Sequence, residues 1–298
     1  MKAISAKLVI VILLLLEAPL SAADGTQRNG GAASRPEVYK VWPFEKREAS
    51  SRQDETAKVL GVPKELSLDL KDKITIRFVL IPAGKFCMGA PANRIGGANE
   101  AAAQKDTCVP KPYYIGKYLV TQEQYEVVMG KNPSRFKGST RPVDSVTWDE
   151  AATFCVKVSE TTGKKIRLPN EVEWEYACRA GTSEEFEFSN DEAALGDFGW
   201  YDPNSGKETH PVGQKKPNAF GLYDMHGNVW EWCSDIFPFP EGNILYTKGD
   251  KQLNRTPHVI RGGSCLCDAK VCSSSFRDAI AAANRYCDLG FRIVCEVP

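Results

Sequence analysis

Apolar and polar positions alternate in blocks along the chain, and each block predicts a different element. ITIRFVLIPAGKFCMGA, from Ile74 to Ala90, is β-branched and alternating, which predicts two strands broken at Pro82-Ala83-Gly84. YYIGKYLVT (113–121) predicts a further strand. TQEQYEVVMG (121–130) opens on a threonine cap, carries spaced apolar residues and stops at Gly130, which predicts a helix. SVTWDEAATFCVKVSETTG (145–163) has the same form. LPNEVEWEYACRAG (168–181) adds a capping box, with Asn170 as cap and Glu173 three residues on. EKREASSRQDETAKVL (45–60) consists of helix formers of mixed charge, stopped at GVP, and predicts a short, mostly exposed helix. Residues 24–42 are polar and glycine-rich, which suits a flexible leader. Residues 182–260 are rich in Gly, Pro, Asn and aromatics and have little periodicity. So long an irregular stretch inside one domain points to function or to metal support.

The amino end sharpens the domain boundaries. Lys2 and Lys7 precede an apolar run from Leu8, and the small residues Ser21 and Ala23 suit cleavage before Asp24. The run is shorter than the roughly 20 residues a membrane span requires. The expectation is therefore a signal peptide at 1–23, a leader with a short helix at 24–72 and one domain at 73–298. The protein is expected to be exported, periplasmic or secreted, with no membrane association after signal removal. Lys and Arg together number 38, as do Asp and Glu, so no basic footprint for nucleic acid is present.

Ten cysteines lie beyond the signal, an even number that an oxidising compartment would first turn into bridges. Cys87 and Cys108 flank neighbouring segments and are candidates for one pair. GGSCLCDAKVC (262–272) is the densest group, with Cys265, Cys267 and Cys272 inside eight positions. Together with Cys287 these make a formal four-thiolate set, although their spacing fits no common zinc module. His210, His226 and His258 are the only histidines and read as structural. Glu171, Glu173 and Glu175 share a helix and read as salt-link partners. The chain contains no HExxH, P-loop, GxSxG or dinucleotide fingerprint.

One ordered set of motifs resembles a known family. FCMGA (86–90), YYIGKYLVTQEQY (113–125), RPVDSVTWDEAATFC (141–155), IRLPNEVEWEYACRAG (166–181), THPVGQKKPNAFGLYDMHGNVWEW (209–232), IRGGS (260–264) and DLGFR (288–292) together resemble the formylglycine-generating enzyme, or sulfatase-modifying factor, family. That resemblance implies an α+β fold: a single C-type-lectin-like domain with much irregular structure. It also implies a copper-dependent oxidase that converts a cysteine in an unfolded sulfatase polypeptide (Cys-x-Pro-x-Arg) to formylglycine with dioxygen. Cys267 and Cys272 match the family's two catalytic cysteines and would hold Cu(I), a soft ion suited to two thiolates. Ser264 would be a polar group of the site, and Trp230 either a wall of the active cleft or plain core.

The same resemblance leaves a second reading open. Active members are arginine- and aromatic-rich after the second cysteine, whereas here SSSFRDAIAAANRYC keeps only Arg277 near the expected place. In the non-oxidase branch a Cys233–Cys272 bridge is plausible, and the fold would serve as a protein- or glycan-binding module. The family's bridging positions further imply Cys155–Cys295, with Cys287 as a guess for the partner of Cys178. Finally, Asp224, Gly227, Val229 and Glu231 match positions that surround Ca²⁺, with carboxylates from the acids and carbonyls from the other two.

Overall fold

The computed structural model describes residues 37–90, 103–237 and 256–298, so the expected signal peptide and the first part of the leader, 24–36, lie outside the described residues. The caps read from sequence shape its helices. In α2 (Gln122–Met129) the Thr121 side chain accepts from the Gln124 N–H, and the Gln124 side chain accepts from the Thr121 N–H. In α3 (Trp148–Thr162) Thr147 and Glu150 repeat the box, and in α4 (Glu171–Arg179) Asn170 and Glu173 do so. Gly130 and Gly163 close α2 and α3 in left-handed conformation, which glycine reaches without a Cβ clash.

Helix α1 (Lys46–Leu60) departs from expectation. It is not mostly exposed: Ala49, Arg52, Gln53, Thr56 and Ala57 are buried. Gln53 Nε2 donates to the carbonyls of Leu80 (3.0 Å) and Phe220 (3.1 Å), and Arg52 lies over the Phe44 ring. Polar side chains that satisfy the backbone of their neighbours are buried at little cost.

The described residues form eleven strands: β1 (Glu65–Asp69), β2 (Thr75–Ile81), β3 (Gly84–Met88), β4 (Lys105–Val109), β5 (Tyr113–Gly116), β6 (Ile166–Arg167), β7 (Trp230–Ile236), β8 (Pro257–Arg261), β9 (Arg277–Ala281), β10 (Leu289–Gly290) and β11 (Val294–Glu296). A five-stranded antiparallel sheet runs β1-β2-β5-β11-β6. A second sheet runs β10-β7-β8-β9, with β10 parallel to β7, and β3 pairs with β4. The two strands expected at 74–90 are β2 and β3, but they do not pair with each other: β2 lies between β1 and β5, and β3 pairs with β4. The strand expected at 113–121 ends at Gly116, and Thr121 is already a helix cap.

The core forms where α2 and α3 cover the five-stranded sheet. Phe78, Leu80, Tyr114, Tyr125, Phe154, Phe291 and Ile293 are all at most 2% exposed. Tyr125 stacks on Phe154 at 5.7 Å. From 182 to 229 the chain is largely irregular, relieved by a 3₁₀ turn (Glu192–Asp197) and the one-turn α5 (Asp202–Ser205). The expectation of irregularity through 260 is corrected by β7 and the start of β8. Short strands set in loops leave too few periodic residues to announce themselves.

Candidate active site

Strand β8 carries the chain into Gly262-Gly263-Ser264. Both glycines have positive φ, 93° and 68°. A Cβ on Gly263 would lie 2.6 Å from the Cys272 sulfur, so only glycine lets the backbone pass beneath that thiol. Three bonds pin the loop: the Cys267 N–H donates to the Ser264 carbonyl (3.1 Å), the Cys272 N–H to that of Ala269 (3.0 Å), and the Asp202 N–H to that of Cys267 (2.9 Å).

Ser264 is the hub. Its hydroxyl donates to Asp288 Oδ2 at 2.6 Å, while its oxygen accepts from the Leu266 N–H at 3.1 Å. Cys267 Sγ lies 3.3 Å from the same oxygen. A hydroxyl has one proton, and Asp288 receives it. The thiol of Cys267 is therefore the donor in that contact. Cys272 Sγ lies 3.9 Å from the Ser264 carbonyl. Cys272 is fully buried and Cys267 half-buried. The Trp230 side chain lies beside Cys267, and its ring lies against Phe276 at 6.1 Å. Phe188 and Tyr201 share one apolar cluster with the two cysteines.

Burial pushes the Cys267 thiol up, although Ser264 and Trp230 pull the other way. Burial, and then the neighbouring Cys267, raise Cys272 well above the usual thiol range. Both sulfurs are therefore protonated at neutral pH, and binding a metal would release their protons. The donor set fits Cu(I): two soft sulfurs beside one another, one reachable from solvent. Among the described residues no group of three or more His, Cys, Asp or Glu side chains is arranged to hold a metal ion. That leaves the four-thiolate zinc set unassembled.

All ten cysteines are free thiols. Neither Cys267 nor Cys272 is tied to Cys233, whose surroundings are Glu171, Arg261 and Asp235. Cys155 and Cys295 do share the main core cluster, unbonded. Cys87 and Cys108 lie diagonally across β3 and β4, opposite Asp106 and Lys85. Cys178 lies beside His226 and Ser274, whereas Cys287 lies near Asp288.

The four expected calcium positions fall on one turn leading into β7, with Asp224 and Asn228 in left-handed conformation. Their carboxylate oxygens are already engaged. Glu231 takes a two-pronged ion pair from Arg292, Nε to Oε2 at 2.6 Å and Nη2 to Oε1 at 2.9 Å. Asp224 accepts from the Gly213 N–H (2.8 Å) and from Asn228 Nδ2 (3.4 Å). With the acids so committed, Asp224, Gly227, Val229 and Glu231 do not fit a calcium ion as placed. The turn is held by a buried guanidinium instead.

Glu171, Glu173 and Glu175 form salt links, as the helix spacing suggested. Glu171 pairs with Arg277 (2.7 Å), Glu173 with Arg167 (2.7 Å), and Glu175 with Arg179 (2.8 Å) and Arg261. Arg277 is thus a scaffold residue rather than a group facing the thiols. A cavity of about 510 Å³ opens elsewhere, between Cys108–Tyr113 and the start of α4, and does not include the thiols.

Three residues escaped the sequence reading as parts of the site. Asp288 was visible only as part of DLGFR, and its role depends on a contact 24 residues away in sequence. His226 and Glu187 meet behind Cys272, both nearly fully buried. Burial opposes charge on the His226 ring, but Glu187 and Cys178 outweigh it and hold the imidazole protonated well above the usual histidine range.

Fold and site together define a single α+β domain of C-type-lectin-like type with paired cysteines on a glycine-rich loop. Residues 68–297 match the Sulfatase-modifying factor enzyme 1-like domain, and the chain belongs to that family. It is 33% identical over 232 residues to "Chaperone protein LppX" of Paenibacillus barcinonensis, covering 61% of this chain and 79% of that one. It is 25% identical to "Formylglycine-generating enzyme" of Mus musculus, covering 96% and 94%. Among solved structures, "Treponema denticola variable protein 1" superposes with a TM-score of 0.67 at 29% identity, over 79% of this chain and 100% of that one.

Proposed function

We propose that this protein is an exported oxidase that converts the cysteine of a Cys-x-Pro-x-Arg segment in an unfolded sulfatase to formylglycine, using dioxygen and Cu(I) held by Cys267 and Cys272. One observation carries the reading: both thiols are free and both meet Ser264, Cys267 at its hydroxyl and Cys272 at its backbone carbonyl. Membership of the sulfatase-modifying factor family supports the substrate class. The amino-terminal signal pattern supports export.

Copper supplies the oxygen chemistry when bound. The protein's own contribution is positioning. Ser264 fixes the rotamer of Cys267, and Asp288 fixes Ser264. When Cys267 gives up its proton, the Ser264 hydroxyl can turn to donate to the thiolate, which favours the charged form. Trp230 and Phe276 wall one side of the site and limit water. Cys267 is the accessible sulfur, so a substrate thiol would approach from its side.

The test is oxygen-dependent conversion of a Cys-x-Pro-x-Arg peptide by the copper-loaded protein, read by peptide mass and aldehyde-specific labelling. Wild type should convert the peptide and Cys267→Ser should not. Equal inactivity of both would remove the oxidase reading. The name of the Paenibacillus relative makes peptide binding without turnover the outcome that would favour a protein-binding module.

A further inference from the structure

The strongest feature outside the thiol pair is a buried histidine directly behind it. His226 Nδ1 lies 2.7 Å from the carbonyl oxygen of Cys272. A carbonyl can only accept, so Nδ1 carries a proton and donates it. The other ring nitrogen, Nε2, faces the Glu187 carboxylate in an ion pair whose side chains are 1% and 6% exposed. Phe186 and Phe188 meet the ring edge-on, at 5.4 Å and 6.1 Å between centroids.

Both ends of this strut are anchored. On the histidine side, the Gly227 N–H donates to the Gly262 carbonyl at 2.8 Å. Gly199 approaches so closely that a Cβ there would lie 2.0 Å from the His226 oxygen. On the carboxylate side, the Ser274 N–H donates to the Glu185 carbonyl at 2.9 Å, which ties the segment bearing Glu187 to the residues just after Cys272. The backbone of Cys272 is therefore held from below by a ring that cannot easily rotate or shift.

We propose that His226, braced by Glu187, is a positioning residue for Cys272: by holding the Cys272 carbonyl it sets where the second sulfur points. This rests on the copper-thiol reading only for its consequence, metal affinity. The geometry itself is independent of it. Partners that orient a metal ligand commonly contribute about 10- to 100-fold in affinity.

Substitutions at position 226 separate positioning from mere packing. In His226→Asn the amide nitrogen falls near the place of Nδ1, so the bond to Cys272 is kept and that to Glu187 is lost. In His226→Gln the amide reaches the place of Nε2, so Glu187 is kept and Cys272 is lost. His226→Leu loses both. Cu(I) affinity is measured on the full chain by competition with bicinchoninate. His226→Asn should stay within about threefold of wild type, while the Gln and Leu variants should weaken by about tenfold or more. In parallel, on copper-free protein carrying Cys267→Ser, the alkylation rate of Cys272 by iodoacetamide is read by peptide mass. It should rise in the Gln and Leu variants and stay level in Asn.

Affinities and alkylation rates that follow melting temperature, rather than the presence of a donor at the Nδ1 place, would overturn the proposal. So would identical values in all variants. If wild type binds no copper while the alkylation series keeps the expected order, the positioning role stands and the oxidase reading falls.

Discussion

Arg292→Met gives the sharpest test of how the turn at 224–231 is held. Arg292 is fully buried and spends its donors on five acceptors. Two are the Glu231 oxygens, and the others are the carbonyls of Gly116 (3.1 Å), Tyr223 (3.0 Å) and Asp224 (3.2 Å). Methionine fills much of the volume but leaves Glu231, itself fully buried, without a cation. Burial already pushes the Glu231 carboxyl above the usual range, and Arg292 is what pulls it back. Removing one partner of a buried pair costs about 3–5 kcal/mol. Each carbonyl left unsatisfied adds about 1 kcal/mol at most, because strand bonds and local relaxation recover part. Protonation of Glu231 caps the penalty, so the expected loss is about 4 kcal/mol.

Urea unfolding at neutral pH measures this, with Glu231→Gln as the second arm of a double-mutant cycle. The double variant should cost less than the two single variants together by about 2 kcal/mol or more. Added Ca²⁺ should leave the wild-type midpoint unchanged. An ion at 100 times its dissociation constant would raise stability by about 2.7 kcal/mol, which is easily seen. Additive single-site losses, or a calcium-dependent rise in wild type, would refute the claim that Arg292 rather than a metal neutralises the turn.

Three further outcomes are expected. Glu150→Gln keeps the capping box of α3 but loses the charge facing Lys131 (2.7 Å) and Arg285 (2.5 Å). Burial works against the Glu150 carboxylate, yet Arg285 and Lys131 hold its pKa down to about 2. Because the folded value is depressed, the stabilisation is present above pH 4.5 and fades as pH falls toward 2. Solvent screening limits it, so the variant should lose about 1 kcal/mol at pH 7 and converge with wild type in acid unfolding curves. Gly263→Ala forces a Cβ against Cys272 at φ 68°; it should cost about 1–3 kcal/mol in thermal melts and lower Cu(I) stoichiometry. Ser264→Ala removes the hub joining Asp288 to Cys267 and should slow peptide conversion by about tenfold or more, with little change in peptide KM.

What the sequence disclosed depended on how local the cause was. The caps at Thr121 and Asn170, the latter with Glu173 answering it, act over three residues and could be read directly. So could the glycine pair before Ser264. Strands β7 and β8 could not, because their partners lie far away in sequence and their residues alternate too briefly to form a period. Burial of Arg52 and Gln53 was hidden for another reason. A periodicity argument scores polar residues as outward-facing, yet Arg52 reaches a carbonyl and an aromatic ring of the segment that precedes the helix, and Gln53 reaches carbonyls of distant segments. Asp288 and His226 belong to the same class, since each matters through one hydrogen bond that only the fold creates.

The irregular half of the domain shows why such residues accumulate here. Loops lack a ladder, so their backbone groups need other partners if they are to be buried. Asn218 supplies them four times, donating to the carbonyls of Ala177 and Cys178 and accepting from the N–H groups of Phe220 and Leu222. Asn228 bridges to both polar groups of the His210 backbone, and Arg292 caps three carbonyls. Fixed in this way, a loop can hold a thiol as firmly as a strand would, while its path stays free to expose Cys267 on one side and bury Cys272 on the other. A two-sulfur site needs that asymmetry: one ligand locked as an anchor, and one reachable by a substrate.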